Sequence, residues 1–485
     1  MRIHPLFGAG IASRSLVVTA QRRLNCYFEN RSDKDRTPIA CYGTPGLALQ
    51  FAVGLMTSPI RGMAGDSTYL YAVIGNQFFV YTISGSEFYG SGAILSSSSG
   101  YVSMVRSPLE SGFNLFLVDG VRGYAYDTAG VLEPVNSIPG FPPDGATTTT
   151  FVSGYFIVNK PNTQQFYVSG SYAPGSWNAL NFGSASGYPD VLVAVDALIG
   201  NLILLCSTHL EFWQNVAASA GQPFAPILSA TVEWGLVAIA ARVHANSCLY
   251  FLAQSPQGGF SICEINGYQV RPVSTPDLDY LFYTFTTVSD CVALAYRIDA
   301  HPMVQFTFPT AGRSFLFDCL TRLWSETQTG VPTNTYAQRH IGNFSALVGD
   351  IPLISDYQNN NVYAISPLLY TDNGATIVRN LITRHEQKDF NVYSVDEMFC
   401  DFETGVGLAS GQGSNPQVTI TCSKDDGRTY LTPLQFPLGK LGQYLTRVET
   451  RRWGSARRFT WSITLTDPVK FVITSGAQSE RERPQ

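Results

Sequence analysis

Charge is scarce in this chain. Lys, Arg, Asp and Glu supply 14% of its 485 residues, against roughly 25% in ordinary soluble domains. The deficit means large neutral surfaces, which in a soluble protein often become subunit contacts. The net charge of −5 excludes a clamp on duplex DNA, which needs an excess of Lys and Arg to neutralise phosphates. It does not exclude a pore through which DNA slides without being gripped. Helical periodicity is almost absent. The most apolar stretch, Val191 to Cys206, is interrupted by Asp196, Gly200 and Asn201, so it is too broken to cross a bilayer. Met1-Arg2-Ile3-His4-Pro5 opens the chain without the apolar core of a signal peptide. The nine cysteines are odd in number, scattered and free of any Cys-x-x-Cys pair, which predicts buried reduced thiols rather than a disulfide or zinc framework. The six histidines show no paired spacing for zinc. Neither a Gly-x-Ser-x-Gly elbow nor a phosphate loop occurs. The expectation is therefore no catalytic residues, no cofactor and no metal.

Aromatics, glycine and strand-forming residues are abundant. Phe, Trp and Tyr make 13% of the chain, with 30 Phe and 25 Tyr beside 43 Gly. This is the composition of strands joined by tight turns. Pairs of apolar runs joined by a polar or Gly-bearing tip recur down the chain. They start near Tyr69, Phe113, Tyr155, Leu202, Leu249, Met303 and Ala346. Their separations of roughly 42 to 54 residues suit a four-stranded propeller blade. Tips such as Gly75-Asn76 and Asp119-Gly120 supply the positive φ of a hairpin. One such sheet cannot cover its own faces, and radial packing solves that problem. The spacing predicts an all-β chain built on a β-propeller of six or seven blades. One short helix is expected at Thr275-Pro276-Asp277, where Thr caps and Pro opens the first turn.

Two regions lie outside the repeats. Residues 1–55, with the charged run Arg31 to Arg36 and the turn string Tyr42-Gly43-Thr44-Pro45-Gly46, read as an arm or platform segment leading into a core strand. Residues 56–370 are the propeller. Residues 371–485 read as a C-terminal β-rich platform domain, with a Gly-rich loop from Gly405 to Asn415 and a disordered tail from Ser479. The terminal segments together form the platform.

Local chemistry is sparse. Ser423-Lys424-Asp425-Asp426-Gly427-Arg428-Thr429-Tyr430 is similar to the Asp box of sialidases, an Asp-Gly hairpin tip pinned by Ser and Thr. Asp425, Asp426 and Gly427 make that turn without invoking catalysis. Arg447, Arg451, Arg452, Arg457 and Arg458 form the one basic cluster, interleaved with Trp453, Phe459 and Trp461. Such interleaving can bind nucleic acid. The favoured reading is an interface in which these arginines pair with carboxylates of a partner.

Several stretches together resemble the packaged-DNA-stabilising, or tail-nozzle, proteins of podoviruses. They include Asn25-Cys26-Tyr27 and Tyr42 to Leu47, then Trp177, Phe182, Tyr188-Pro189-Asp190, Glu211-Phe212-Trp213 and Pro223-Phe224. The pattern continues through Gly235 to Ala238, Tyr250 to Ala253, Gly267-Tyr268 and Val273-Ser274-Thr275. It ends in the Asp-Gly hairpin, Pro437, Gly439, Gly442, Tyr444, the arginine run and Asp467-Pro468. Tyr430 departs from the Trp more often found there. The resemblance implies a structural virion protein, made in the host cytoplasm and placed in the virion tail. It implies a ring, commonly a hexamer, beneath the portal and head-to-tail adaptor. That ring retains the packaged genomic DNA, is closed by a needle or gate protein, carries tail fibres or tailspikes, and meets the host envelope surface during genome ejection. The alternative is a sialidase-like propeller that binds or cleaves host surface glycans.

Overall fold

The computed structural model describes residues 2–4, 10–30, 39–87, 93–108, 112–135, 139–217, 221–330, 339–387 and 391–482. The run Arg31 to Arg36 lies outside them. Among the described residues, seven antiparallel sheets follow one another around a ring. The first holds Ile60–Gly65, Tyr69–Ile74, Gln77–Thr82 and Ala93–Ile94. The second to fourth repeat this four-strand plan, beginning at Ser103–Arg106, Thr149–Val152 and Leu192–Leu198. In the fifth, the inner strand is split into Gly235–Leu236 and Arg242–Ala245, both paired with Cys248–Gln254. The sixth begins at Val292–Ile298 and the seventh at Gly342–Val348. In the first six blades the runs read from the sequence are the second and third strands, as at Tyr155–Asn159 and Gln165–Gly170, whereas the run at Ala346 begins in the first strand of the seventh.

Each pair of neighbouring blades encloses its own apolar core, because a sheet's two faces are both covered only when another sheet stands on each side. Tyr71, Val73, Leu115 and Tyr126 fill the first such layer. Val152, Phe166, Leu202 and Trp213 fill that between the third and fourth blades. The ring closes where Ile60 and Leu70 of the first blade meet Val348, Leu353 and Val362 of the seventh. The closing strand comes from the other end of the chain. Gly46–Ala52 pairs antiparallel with Asn361–Ser366 as the fourth strand of the seventh blade. Gly46 is obligatory there, since a Cβ would lie 2.3 Å from the carbonyl oxygen of Thr371.

The expected helix is Pro276–Tyr283, with Thr275 accepting the Leu278 amide hydrogen and Asp277 and Asp279 in its first turn. It joins the fifth and sixth blades and buries Leu278 and Phe282 between them.

The terminal segments form a two-sheet sandwich. One sheet runs Cys26–Asn30, Ile39–Gly43, Val472–Glu482, Tyr393–Phe402 and Val448–Ala456. The other runs Arg22–Leu24, Arg379–Ile382, Arg458–Leu465, Gln417–Ser423 and Leu434–Pro437. Phe28, Val395, Trp453, Phe459, Trp461 and Ile473 fill the space between them. The tail expected to be disordered is part of this sheet up to Glu482, because Tyr393↔Glu482 and Ser394↔Arg481 complete the ladder. Residues 483–485 of that tail lie outside the described residues.

Propeller and sandwich share one sheet. Leu24 pairs in parallel with Glu326 of the sixth blade's outer strand, Leu323–Thr327, giving nine strands in one path, with Glu386–Gln387 as a tenth beside Arg458–Leu465. Glu326 is clamped there between Arg22 and Arg313, each 2.8 Å away. Burial alone would raise its pKa, but the two guanidinium groups override it and hold the carboxylate ionised. Asn25 adopts φ +52°, donates to the carbonyls of Gln328 (3.0 Å) and Val378 (2.9 Å), and accepts from the Gln328 amide. Tyr27 then stacks on Tyr42 and meets the edge of His301 across the junction.

Candidate functional site

The basic run lies on Val448–Ala456, the strand that ends its sheet, and on the turn leading to Arg458–Leu465. Regular alternation would send every second side chain of such a strand into the core. A bulge breaks the alternation: Val395 faces Gly454 and Glu397 faces Arg451, so Asp396 alone opposes two residues. Arg452 takes φ +70° at that point. Arg451 and Arg452 consequently both face solvent, while Trp453 turns inward at 4% exposure. Trp453 packs edge-on against Trp461 at 5.0 Å, and Phe459 is stacked on Trp461. The aromatics interleaved with the arginines are therefore core residues, and no base can stack on them. That removes the physical basis of single-strand binding by this run.

The five arginines do not act together. Arg458 turns toward the Asp-Gly hairpin and donates to both carboxylate oxygens of Asp426 at 3.0 and 3.1 Å. Arg451 is 66% exposed and pairs with Glu449 at 2.5 Å and Glu397 at 3.5 Å, so part of its charge is spent within its own chain. Arg452 and Arg457 are exposed. Arg447 is also exposed and lies 5.6 Å from the ring centre of Phe399. It lines an open cleft of about 450 Å³ with Phe402, Tyr444, Leu445 and Gly476. The adjoining loop presents Leu441, Tyr444 and Leu445 to solvent, the last fully. Cationic edge and apolar loop thus form one patch of the kind that serves protein contacts.

The hairpin is a closed hydrogen-bonded unit. The Ser423 hydroxyl accepts the Gly427 amide at 2.8 Å and donates to Asp425 at 2.7 Å. Asp425 also accepts the amide and hydroxyl of Thr429, and these donors hold its pKa down at about 2. Asp426 sits at φ +64° and Gly427 at φ +83°. The lone pairs of Asp425 are taken up by the turn itself, which is a structural arrangement and not a reactive one.

Over the fifth to seventh blades a depression of about 600 Å³ is lined by His244, Tyr296, Arg297, Leu347 and Asp350, among others. Among the described residues, Asp350 is the single carboxylate of its lining, whereas hydrolysis of a glycosidic bond uses two. His244 at its rim donates to Asp196 at 2.7 Å, and Arg242 does so at 2.9 Å. Among the described residues, one group of side chains could hold a metal ion: Asp190, Cys206 and His209 in the fourth blade. It contains neither a Cys-x-x-Cys nor a paired-histidine spacing. Its signal is the mixed Cys206-x-x-His209 spacing across a hairpin tip.

Comparison with known proteins follows the same division of the chain. A family profile described as bacteriophage P22 Gp10, β-propeller, matches residues 42–367. A second, described as bacteriophage P22 Gp10, β-sandwich, matches residues 378–479. No curated protein sequence matches. Among solved structures, the Pan2 WD40 domain of Neurospora crassa aligns at TM-score 0.41 and 11% identity, over 70% of this chain and 98% of that one. The extracellular domain assigned to a one-component system of B. thetaiotaomicron aligns at TM-score 0.43 and 10% identity, over 88% of this chain and 61% of that one.

Proposed function

Since the chain belongs to the bacteriophage P22 Gp10 family of tail-nozzle, packaged-DNA-stabilising proteins, a structural component of the virion tail, we propose that it forms a ring that extends and closes the DNA channel below the portal and adaptor. The observation that carries this reading is that both family profiles match in order and together span propeller and sandwich. The ring, commonly a hexamer in such tails, retains packaged DNA against internal pressure and opens on contact with the host envelope. The role is mechanical and involves no catalytic group. A net charge of −5 suits a channel wall that does not bind the DNA it passes. Needle or gate protein and tail fibres or tailspikes attach to the same ring.

The exposed arginines Arg447, Arg451, Arg452 and Arg457, with the apolar loop beside them, dock the adaptor or a neighbouring subunit. The half-buried Arg458 and the Asp425-Asp426-Gly427 hairpin set the shape of that edge from behind. The double variant Arg451→Glu, Arg452→Glu reverses charge at solvent-facing positions and is expected to leave the monomer folded while stopping tail assembly. Circular dichroism and electron microscopy of tails assembled with the variant check this. Normal tails would sink the docking assignment. A glycan-cleaving propeller would instead release oligosaccharides from host surface polysaccharide. The expected result with purified protein is none.

A further inference from the structure

The fourth blade carries a buried polar cluster that the nozzle role does not use. Asn201–Cys206 and Leu210–Asn215 are joined by a tight turn in which the Cys206 amide donates to the His209 carbonyl at 2.9 Å. Residues facing each other across such a turn point to one side of the sheet, which puts the Cys206 thiol and the His209 ring together. Asp190, in the linker that enters the blade, closes over them. One ligand atom each from Asp190, Cys206 and His209 lies within 4.8 Å of the other two. His209 and Cys206 are fully buried, and the Asp190 side chain is 7% exposed.

Two details separate this cluster from an ordinary buried ion pair. His209 Nδ1 makes a hydrogen bond with Asp190 Oδ2 at 3.1 Å, while Oδ1, 3.0 Å from the same nitrogen, is buried without any hydrogen bond. A buried carboxylate oxygen left in that condition is costly. On the far side of the ring, Nε2 lies 3.2 Å from Glu211 Oε1. Glu211 is itself fixed by the Gly187 amide at 2.9 Å and the Trp213 indole at 2.8 Å. A carboxylate that accepts one ring N–H and leaves the other nitrogen toward mixed S and O donors is the arrangement that orients histidine on a metal.

We infer that Asp190, Cys206 and His209 form a structural divalent-metal site, with zinc the ion that suits the donor set, and that Glu211 orients the histidine from behind. Zinc takes thiolate sulfur, imidazole nitrogen and carboxylate oxygen together in a tetrahedral shell. Three protein donors leave the fourth position to a water molecule, and the Thr208 hydroxyl, donating to Asp190 Oδ2 at 2.7 Å, holds that carboxylate in place. On binding, the thiol of Cys206 and Nδ1 of His209 each give up a proton to solvent, and Nε2–H stays on the ring, donated to Glu211. The ion would pin the linker between the third and fourth blades to the hairpin tip of the fourth.

The test uses the full-length protein, stripped with a chelator and re-equilibrated with buffered zinc or cobalt. The expected result is about one zinc per chain by elemental analysis, and a thiolate-to-cobalt charge-transfer band in the near ultraviolet. Cys206→Ser should abolish the band, and Glu211→Gln should weaken zinc binding by about 10- to 100-fold. If Cys206→Ser does not fold, Asp190→Asn and the stoichiometry of the unmodified chain decide. A folded wild-type chain that retains no zinc overturns the inference, as does a Cys206→Ser chain that binds zinc as the wild type does.

Discussion

Asp372 shows how a single residue reports on the seam between propeller and sandwich. It is fully buried beside Leu47, its partner in a parallel bridge, and accepts the Thr329 hydroxyl at 2.8 Å. Burial raises its pKa from the ordinary 3.8 to about 7, against smaller opposing effects of the Thr329 hydrogen bond and the Arg379 charge. A carboxyl whose pKa is higher folded than unfolded holds more protons in the folded state between those two values. Its contribution to stability is then full below about pH 4 and is lost as pH rises through about 7. The loss is up to about 4 kcal/mol if the whole change from 3.8 to about 7 is expressed. Asp372→Asn should flatten the dependence of urea midpoints on pH across this window, and an unchanged slope would assign it to other groups. Residue identity alone signals such a group poorly. Asp372-Asn373-Gly374 reads as a turn, and only its packing beside the closing strand Gly46–Ala52 and Thr329 encloses the carboxylate. The same holds for the arginines: five look alike in the sequence, and one of them, Arg458, belongs to the hairpin.

At the scale of the element, the propeller lacks the recurrent Trp-Asp dipeptide and uses acid–aromatic pairs instead. Asp66 accepts the Tyr71 hydroxyl at 2.7 Å, Asp356 that of Tyr363 at 2.8 Å, and Glu211 the Trp213 indole at 2.8 Å. In all three, the same carboxylate also holds a backbone amide: those of Thr68 and Tyr69, of Gln358, and of Gly187. Asp66 precedes the strand of Tyr71, Asp356 and Tyr363 lie on neighbouring strands, and Glu211 and Trp213 share one strand, so the blades keep regular shape without a shared motif. Because the pairs differ in residue type, only their spacing marks the repeats. The closing strand is the element most exposed to failure. Gly46→Ala would place a Cβ 2.3 Å from the Thr371 oxygen and 2.8 Å from its nitrogen. Backbone cannot yield as a flexible side chain does, and the expected cost is about 2 kcal/mol or more. Amide hydrogen exchange should then quicken in Asn361–Ser366, whose ladder partner is displaced. Unchanged protection there would show that the ring does not depend on this strand.

For the whole molecule, the ten-stranded sheet makes propeller and sandwich one mechanical body. The chain enters through the sandwich, closes the seventh blade with Gly46–Ala52, runs around the ring and returns to the sandwich after Ser366. Neither part is finished without the other's segment. Calorimetry should therefore record a single unfolding transition. Asn25→Ala removes three buried hydrogen bonds at the seam and puts alanine at φ +52°. It is expected to cost about 3 kcal/mol or more and to split or broaden the transition. A wild-type chain that melts in two separate steps would show that the shared sheet does not couple them. In the proposed ring, such coupling would carry load from sandwich to propeller without a hinge.

Fold class was legible in the sequence because strand pairs, tips and their spacing are local properties, set by alternation and turn chemistry within about fifteen residues. The number of blades was bounded by the same spacing, and the family by motifs that keep their order along the chain. What only the tertiary structure decided rests on contacts far apart in sequence. The seventh blade is completed by a strand some 300 residues away. Arg452 faces solvent because a bulge forms against a strand from another part of the chain. Asp190, Cys206 and His209 meet because a linker folds over a hairpin tip. Local pattern sets which strands form. Long-range pairing sets which side chains meet, and no period in the sequence encodes it.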